Sequence, residues 1–391
     1  MDFPDNIAEL YFPPICDFKR FASLALDSAA KVYDLSQAVP GYPPPESIRS
    51  ALIRALESED YYPYTPDEGL PELRAAIAKE LRRLYSHAPG PDSICVTAGA
   101  NNAFFSTLAA LAEPGDEVVF LAPYYFNHYM TARILRLKPV AAALNARDGY
   151  ALDVGKIRPL LGPKTKALVL VNPSNPTGKS YAQADVDALF ALCAERGVVL
   201  ISDEVYNYFH DDYPRPASVL NIANFAEHAV SIHSYSKTFS LTGFRIGFVA
   251  AAPVFLRQFL KVHDSNVICA PRIGQLAAAA GLRDAGGWLR DRIAQLRQRV
   301  AAFRTAFAAR ESAFRIASAG AFFVYLNFDL PATAEEVGRG FVEKSNTILL
   351  PGSFFGPGQE GALRLALGSV QERDIPEVVR IIHDYKETTA K

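Results

Sequence analysis

Along the middle of the chain, short apolar runs alternate with longer stretches in which apolar residues recur at helical spacing. Ile94–Thr97, Glu117–Leu121, Ala167–Asn172, Val198–Asp203 and Ala229–Ser234 are of strand length and mostly apolar, which predicts buried strands. Between them, Gln183–Arg196 is amphipathic and is followed by Gly197, a residue that readily closes a helix. Strands alternating with helices predict an α/β fold, with a mostly parallel central sheet sandwiched by helices. Gly243–Ala251 reads as one more strand after a turn. Beyond it the pattern changes to a long Arg-rich amphipathic helix, Gly287–Arg310, then a strand over Ala321–Asp329, a helix near Glu335–Lys344 and a strand over Gly361–Leu367. That order predicts a smaller α+β domain over residues 287–391, with 46–286 as the large domain. Residues 1–45, rich in Pro and aromatics, are expected to join the smaller domain as an arm.

A length of 391 residues, half of them hydrophobic, is ample for the core of roughly two domains. Lys and Arg total 40 against 42 Asp and Glu, so no basic excess argues for nucleic acid. The opening Met1-Asp2-Phe3-Pro4-Asp5 lacks the basic-then-apolar order of a secretory leader. No apolar run reaches the ~18 residues of a membrane span. A cytoplasmic protein with no membrane partner is the expectation. Cys16, Cys95, Cys193 and Cys269 are widely spaced and read as buried free thiols. The seven histidines show no ligand spacing, so no metal site is expected.

In an open α/β sheet, ligands bind beyond the carboxyl ends of the strands, and the strands here end in unusual polar sets. After Thr97 comes Ala98-Gly99-Ala100-Asn101-Asn102, then a helical run from Ala103 to Ala112. A glycine turn opening a helix suits a phosphate, although a plain strand–helix turn has the same sequence. After Val171 comes Asn172-Pro173-Ser174-Asn175-Pro176-Thr177-Gly178. This is a rigid turn, and it would also present the Asn175 amide as a fixed donor. Asp203-Glu204-Val205-Tyr206 follows the next strand; Asp203 reads either as a turn residue or as the partner of a cationic ring nitrogen. After His233 comes Ser234-Tyr235-Ser236-Lys237, and after it Gly243-Phe244-Arg245-Ile246-Gly247. Two cations in apolar surroundings need anions or covalent use. A Schiff base at Lys237 and a phosphate at Arg245 would satisfy both.

With Ser234, Ser236, Lys237, Gly243, Arg245 and Gly247 as an SxSKxxxxxGxRxG signature, the chain resembles the fold-type I, class I/II aminotransferases. The NPxNPTG and DExY elements stand upstream in the family's order. Tyr64-Thr65-Pro66-Asp67-Glu68-Gly69-Leu70-Pro71, Pro114-Gly115-Asp116, Pro123-Tyr124-Tyr125 and Arg364-Leu365-Ala366-Leu367 match as well. The resemblance implies a pyridoxal-phosphate-dependent aminotransferase, moving an amino group from an L-amino acid to a 2-oxo acid by a ping-pong mechanism. It implies a role for each matching position. Lys237 carries the cofactor and moves the proton. Asp203 holds the pyridine nitrogen. Tyr206 and Asn175 bond the phenolic oxygen, and Tyr125 stacks on the ring. Gly99, Ala100, Asn101, Ser234, Ser236 and Arg245 cradle the phosphate, and Arg364, with Ala38 and Asn175 beside it, meets the substrate. Tyr64 would reach the neighbouring subunit's phosphate, which makes a homodimer the expected unit.

The first active-site loop departs from the family pattern, with Ala38 where many relatives have glycine. A lyase, cyclase or oxidase using the same cofactor site is the alternative enzyme reading. A cofactor-sensing regulator is the non-enzymatic one, but the resemblance begins near residue 35 and leaves no room before it for a DNA-binding domain. For the amino donor, the expectation is a sizeable neutral side chain, aromatic or methionine-like. Arg245 and Arg364 are committed, and Arg272 reads either as a helix-start or interface residue or as a receptor for a side-chain carboxylate. Tyr11, Phe12, Phe18, Tyr42, Phe354 and Phe355 are expected near the pocket.

Overall fold

The computed structural model describes residues 1–27 and 30–385; residues 28 and 29 of the expected arm and 386–391 of the expected C-terminal domain lie outside it. The first strand, β1 (Tyr33–Asp34), is followed by seven that form one sheet. These are β2 (Ile94–Thr97), β3 (Glu117–Ala122), β4 (Lys138–Ala143), β5 (Thr165–Val171), β6 (Val199–Asp203), β7 (Ala229–Ser234) and β8 (Gly247–Ala250). Their order is β2-β8-β7-β6-β5-β3-β4, with β8 alone running against its neighbours. Every residue of β2 and β7 is buried. Helices cover both faces, as strands without a polar side require.

Two differences from the sequence reading have simple causes. The edge strand β4 was not expected, because Lys138-Pro139-Val140-Ala141-Ala142-Ala143 has only one strongly apolar residue. It pairs with β3 alone, and an edge tolerates proline. The strand expected over Gly243–Ala251 shrinks to β8, since Thr242–Phe244 forms a helical turn and Arg245 sits at φ 51°. The helix Gln183–Arg196 ends on Gly197 at φ 65°, a left-handed closure that glycine adopts without strain.

The C-terminal sheet comprises β9 (Phe314–Gly320), β10 (Phe323–Phe328), β12 (Leu350–Pro351) and β13 (Ala362–Ala366), in the order β12-β13-β10-β9 and antiparallel throughout; β11 (Thr347–Ile348) lies just before β12. β9 was missed because its Ala317-Ser318-Ala319-Gly320 run is small and weakly apolar. β11 pairs with β1 in parallel, and the backbone N–H of Ala366 donates to Leu35 O at 2.9 Å. The segment after the N-terminal helix Pro14–Ala25 is thereby stitched to the second sheet.

The two sheets meet closely at a glycine pair. A Cβ on Gly178 would lie 2.5 Å from Gly320 O, and one on Gly320 would lie 2.3 Å from Gly178 O. Only glycine at both positions lets the β9–β10 turn rest on the Asn-Pro loop, which brings Asn175 under Arg364 of β13.

The expectation of four buried thiols is corrected. Cys95 and Cys193 are buried, but Cys269 is partly exposed and Cys16 is exposed. Cys16 falls on the solvent side of an amphipathic helix whose other face buries Phe18 and Ala22.

Candidate active site

A cavity opens at the carboxyl ends of the parallel strands. Because β8 runs the other way, the residues leading into it reach the same edge. Ala38, Ala100, Asn101, Tyr125, Asn175, Asp203, Tyr206, Ser234, Ser236, Lys237, Arg245 and Arg364 all line this cavity. They come from eight separate stretches of chain, assembled by the sheet and by the contact between the two sheets.

One end is an anion cradle. The helix Ala100–Leu111 begins directly after Gly99, whose φ is +85°. A Cβ on Gly99 would stand 2.7 Å from an Arg245 Nη, so glycine is what admits the guanidinium to the helix start. The Ser234 hydroxyl donates to Ser236 Oγ at 3.0 Å and accepts the Ser236 N–H at 3.1 Å. Backbone N–H groups, two hydroxyls and a guanidinium suit a phosphate in charge and donor type.

At the middle, Asp203 Oδ1 accepts the Val205 N–H at 3.1 Å and Oδ2 lies 3.1 Å from His128 Nε2. His128 is buried and stacks on Phe104 at 3.9 Å between centroids. Behind the turn, Glu204 is buried and accepts the hydroxyls of Ser202, Ser218, Ser231 and Tyr85. Asn207 in turn donates to the Tyr85 hydroxyl at 2.9 Å. This polar network pins both ends of the Glu204–Asn207 turn and so fixes Tyr206. Burial, against those hydroxyls, pushes the Glu204 carboxyl up to about 7.

Burial, with the Arg364 and Arg245 charges adding to it, brings the Lys237 amine down to about 8. Tyr125 and Tyr206 are pushed up by burial. Arg364 is fully buried. Its Nη1 donates to Asn175 Oδ1 at 3.1 Å, its Nη2 to Ser36 O, and the rings of Phe323 and Phe355 flank it. Burial brings its pKa down to about 10. Its Nε has no partner among the described residues. Three cations line the cavity against the single carboxylate of Asp203; Arg364 is fully buried and Lys237 partly buried, while Arg245, expected in apolar surroundings, is exposed at the helix start, and the charge imbalance suits anionic ligands.

Some expected residues lie elsewhere. Tyr64 is 77% exposed and does not line the cavity of its own chain. Arg272 begins a helix and its guanidinium bonds Asp60, both at the side chain and at the carbonyl. The aromatic pocket is also corrected. Tyr11, Phe12, Phe18 and Phe354 line a separate cleft with Glu335 and Arg339. Tyr42 packs edge-on against Trp288, and Phe355 sits behind Arg364. The reason is helix phase: Pro14–Ala25 turns Phe18 into its packing face and offers Ile15 to the cavity. The wall is therefore aliphatic, from Ile15, Ala38, Val171 and Val205. Ile15, Gln37 and His128 were missed. A histidine three residues after Tyr125 reads as a core residue, and nothing local marks the arm as a cavity wall.

A family model described as aminotransferase class I and II matches residues 30–382. The chain belongs to the class I and II aminotransferases. This aminotransferase is 29% identical to an aspartate aminotransferase of Pyrococcus abyssi, with 88% of each chain covered. It is 26% identical to aromatic-amino-acid aminotransferase 2 of Thermococcus litoralis, covering 88% of this chain and 91% of that one. Its fold superposes with a TM-score of 0.89 on YbdL of Escherichia coli, identified as having a methionine aminotransferase function, at 25% identity over 98% of this chain and 100% of the other. The aminotransferase is pyridoxal-phosphate-dependent, with the fold-type I architecture expected. The lyase, cyclase or oxidase alternative is not favoured. No helix among the described residues is long and apolar enough to cross a membrane.

Proposed function

We propose that this aminotransferase takes a sizeable neutral L-amino acid, aromatic or methionine-like, as its donor. The observation that carries the reading is the cavity lining: an aliphatic wall of Ile15, Ala38, Val171 and Val205, and no cation beyond Lys237, Arg245 and Arg364. A donor carboxylate against that wall would be buried without a partner, which is costly. An apolar side chain gains ~0.8 kcal/mol per CH₂ buried. Relatives named for aspartate, aromatic and methionine substrates bracket the choice.

In this reading Gly99, Ala100, Asn101, Ser234, Ser236 and Arg245 would hold the phosphate, and Tyr125 would stack on the ring. Asp203, oriented by His128, would pair with the ring nitrogen, and Tyr206 and Asn175 would bond the phenolic oxygen. When bound, pyridoxal phosphate supplies an electron sink for the bond broken at the substrate Cα. Lys237 is the covalent anchor. Its Nζ would then take the Cα proton and return it. Arg364 keeps one free N–H on each Nη beyond its bonds to Asn175 and Ser36, enough for a forked grip on the α-carboxylate. Ala38 closes over that grip.

The working unit in this reading is a cytoplasmic homodimer. Tyr64 is exposed together with Ile53, Leu56, Tyr61, Tyr62 and Ile268. Apolar exposure on this scale fits a face covered by a second copy, from which Tyr64 would reach the partner's phosphate. The proposed organisation is an arm over 1–45, a large domain over 46–286 and a small domain over 287–391. The test of the donor class is kcat/KM for phenylalanine, tyrosine, methionine and aspartate, with 2-oxoglutarate as acceptor. The neutral donors are expected to lead, and aspartate leading would overturn the reading.

A further inference from the structure

Behind the cavity, and outside it, lies a carboxylate with no cation. The Glu204 side chain is fully buried. Among the described residues the partners of its carboxylate are all hydroxyls, and no cationic side chain pairs with it. Oε1 accepts Ser202 at 2.9 Å, Ser218 at 2.7 Å and Ser231 at 3.1 Å. Oε2 accepts Tyr85 at 3.2 Å. The donors come from β6, from the residue before the turn Val219–Asn221, from β7 and from the residue after the helix Pro71–Leu84. A serine hydroxyl has one proton, and Ser231 gives its own to Glu204. His233 Nε2, 2.8 Å from the Ser231 oxygen, must then donate to it. Burial brings His233 down to about 3, so this imidazole is neutral and supplies no counter-charge.

The carboxylate is tied to the turn that Glu204 begins. Asn207 Nδ2 donates to the Tyr85 oxygen at 2.9 Å, and Asn207 Oδ1 accepts the Tyr208 N–H at 3.0 Å, so both ends of that amide are in use. The Asn207 N–H donates to Glu204 O at 3.0 Å. Residues 204 and 207 are thus joined twice, once through the backbone and once through Tyr85. Between them stands Tyr206. Its ring meets Phe322 and Phe323 edge-on, at 5.6 and 5.1 Å between centroids, and it lines the cavity together with Asp203. We propose that Glu204 and Tyr85 are positioning residues, which from outside the cavity set the hydrogen bond that Tyr206 offers to the bound cofactor. This rests on the reading above that Tyr206 bonds the phenolic oxygen.

The negative charge is what makes the link work. A carboxylate only accepts, so both of its oxygens can face donors. In Glu204→Gln the amide oxygen can keep the three serines, but the amide nitrogen then faces the Tyr85 hydroxyl, donor against donor. Tyr85 can turn to accept, yet its own proton is then left without a partner in a buried place, which is destabilising. The connection from 204 to 207 through Tyr85 therefore loses a hydrogen bond, although the volume of the side chain is unchanged.

The experiment follows the pH at which the bound cofactor's visible absorbance changes, a property of the loaded protein that needs no turnover. A donor on the phenolic oxygen favours its deprotonated form, so weakening that donor moves the pH up. Tyr206→Phe is expected to raise it by ~1–2 units, the size of one hydrogen bond to a charged oxygen. Glu204→Gln and Tyr85→Phe should each raise it by about half a unit or more, ~threefold in the protonation equilibrium, since the Tyr206 bond is kept but misaligned. In a Tyr206→Phe background neither should add a further shift. Tyr85→Phe leaves the three serine contacts on Glu204 in place, and it decides the matter if Glu204→Gln does not fold. A pH that Tyr206→Phe moves but Glu204→Gln and Tyr85→Phe do not overturns the proposal. So does a shift that survives undiminished in the Tyr206→Phe background, since Glu204 would then act by another route. If Tyr206→Phe itself leaves the pH unmoved, the place of Tyr206 at the phenolic oxygen has failed, and the proposal with it.

Discussion

Replacing Gly99 by alanine isolates the anion cradle. The new Cβ would meet an Arg245 Nη at 2.7 Å and the guanidinium carbon at 3.1 Å, so the guanidinium must leave the helix start. Gly99 also sits at φ +85°, where alanine costs ~1–2 kcal/mol of stability. Moving Arg245 off the phosphate removes a charge-assisted bond worth ~1.5–3 kcal/mol. That corresponds to cofactor affinity weaker by roughly 10- to 150-fold. Gly115→Ala separates the two effects, since Gly115 has φ +94° with nothing within 4 Å of its would-be Cβ. Titration of cofactor-free protein with pyridoxal phosphate, followed by absorbance, gives the affinity, and thermal unfolding gives the stability. Both variants should melt a few degrees lower, and Gly99→Ala alone should bind cofactor weakly. If Gly99→Ala bound cofactor like Gly115→Ala, the cradle would not be the phosphate site.

Three further outcomes follow from the same geometry. Arg364→Lys loses the fork on the α-carboxylate and should lower kcat/KM about 100-fold for every donor tested, a loss of ~3 kcal/mol; selective loss for one donor would contradict its role. Lys237 is brought from its ordinary 10.5 to about 8 by burial and two arginine charges, so its cost to the cofactor-free fold is full below about 8 and fades as the pH rises towards 10.5. Lys237→Met should therefore unfold at a higher temperature than the cofactor-free parent at neutral pH, with the gap closing above pH 10; a gap independent of pH would refute this. Mixed dimers of Lys237→Ala and Tyr64→Ala chains should recover parental cofactor affinity at the sites that keep both residues, and affinity no better than the Tyr64→Ala homodimer would show that Tyr64 does not act across subunits.

The elements whose side chains repeat cleanly could be read from the chain. β2 and β7 are continuous apolar runs, Gln183–Arg196 carries a helical stripe and a closing glycine, and Lys237 and Arg245 stand out as cations in apolar company. Each of these signals is local: burial on both faces demands an unbroken run, and a charge set among apolar residues demands a reason, although the fold leaves Arg245 exposed. What the fold alone decided depends on contacts between distant segments. β4 is a strand because β3 offers it an edge, not because of its own residues. His128, on the helix Phe126–Ile134, becomes Asp203's partner only when the fold brings that helix to the carboxyl end of β6. Phe18 leaves the cavity wall to Ile15 through a helix phase that the arm acquires by packing against the second sheet. Arg364 finds Asn175 because Gly178 and Gly320 let two sheets touch, and neither glycine's neighbours reveal that the other exists.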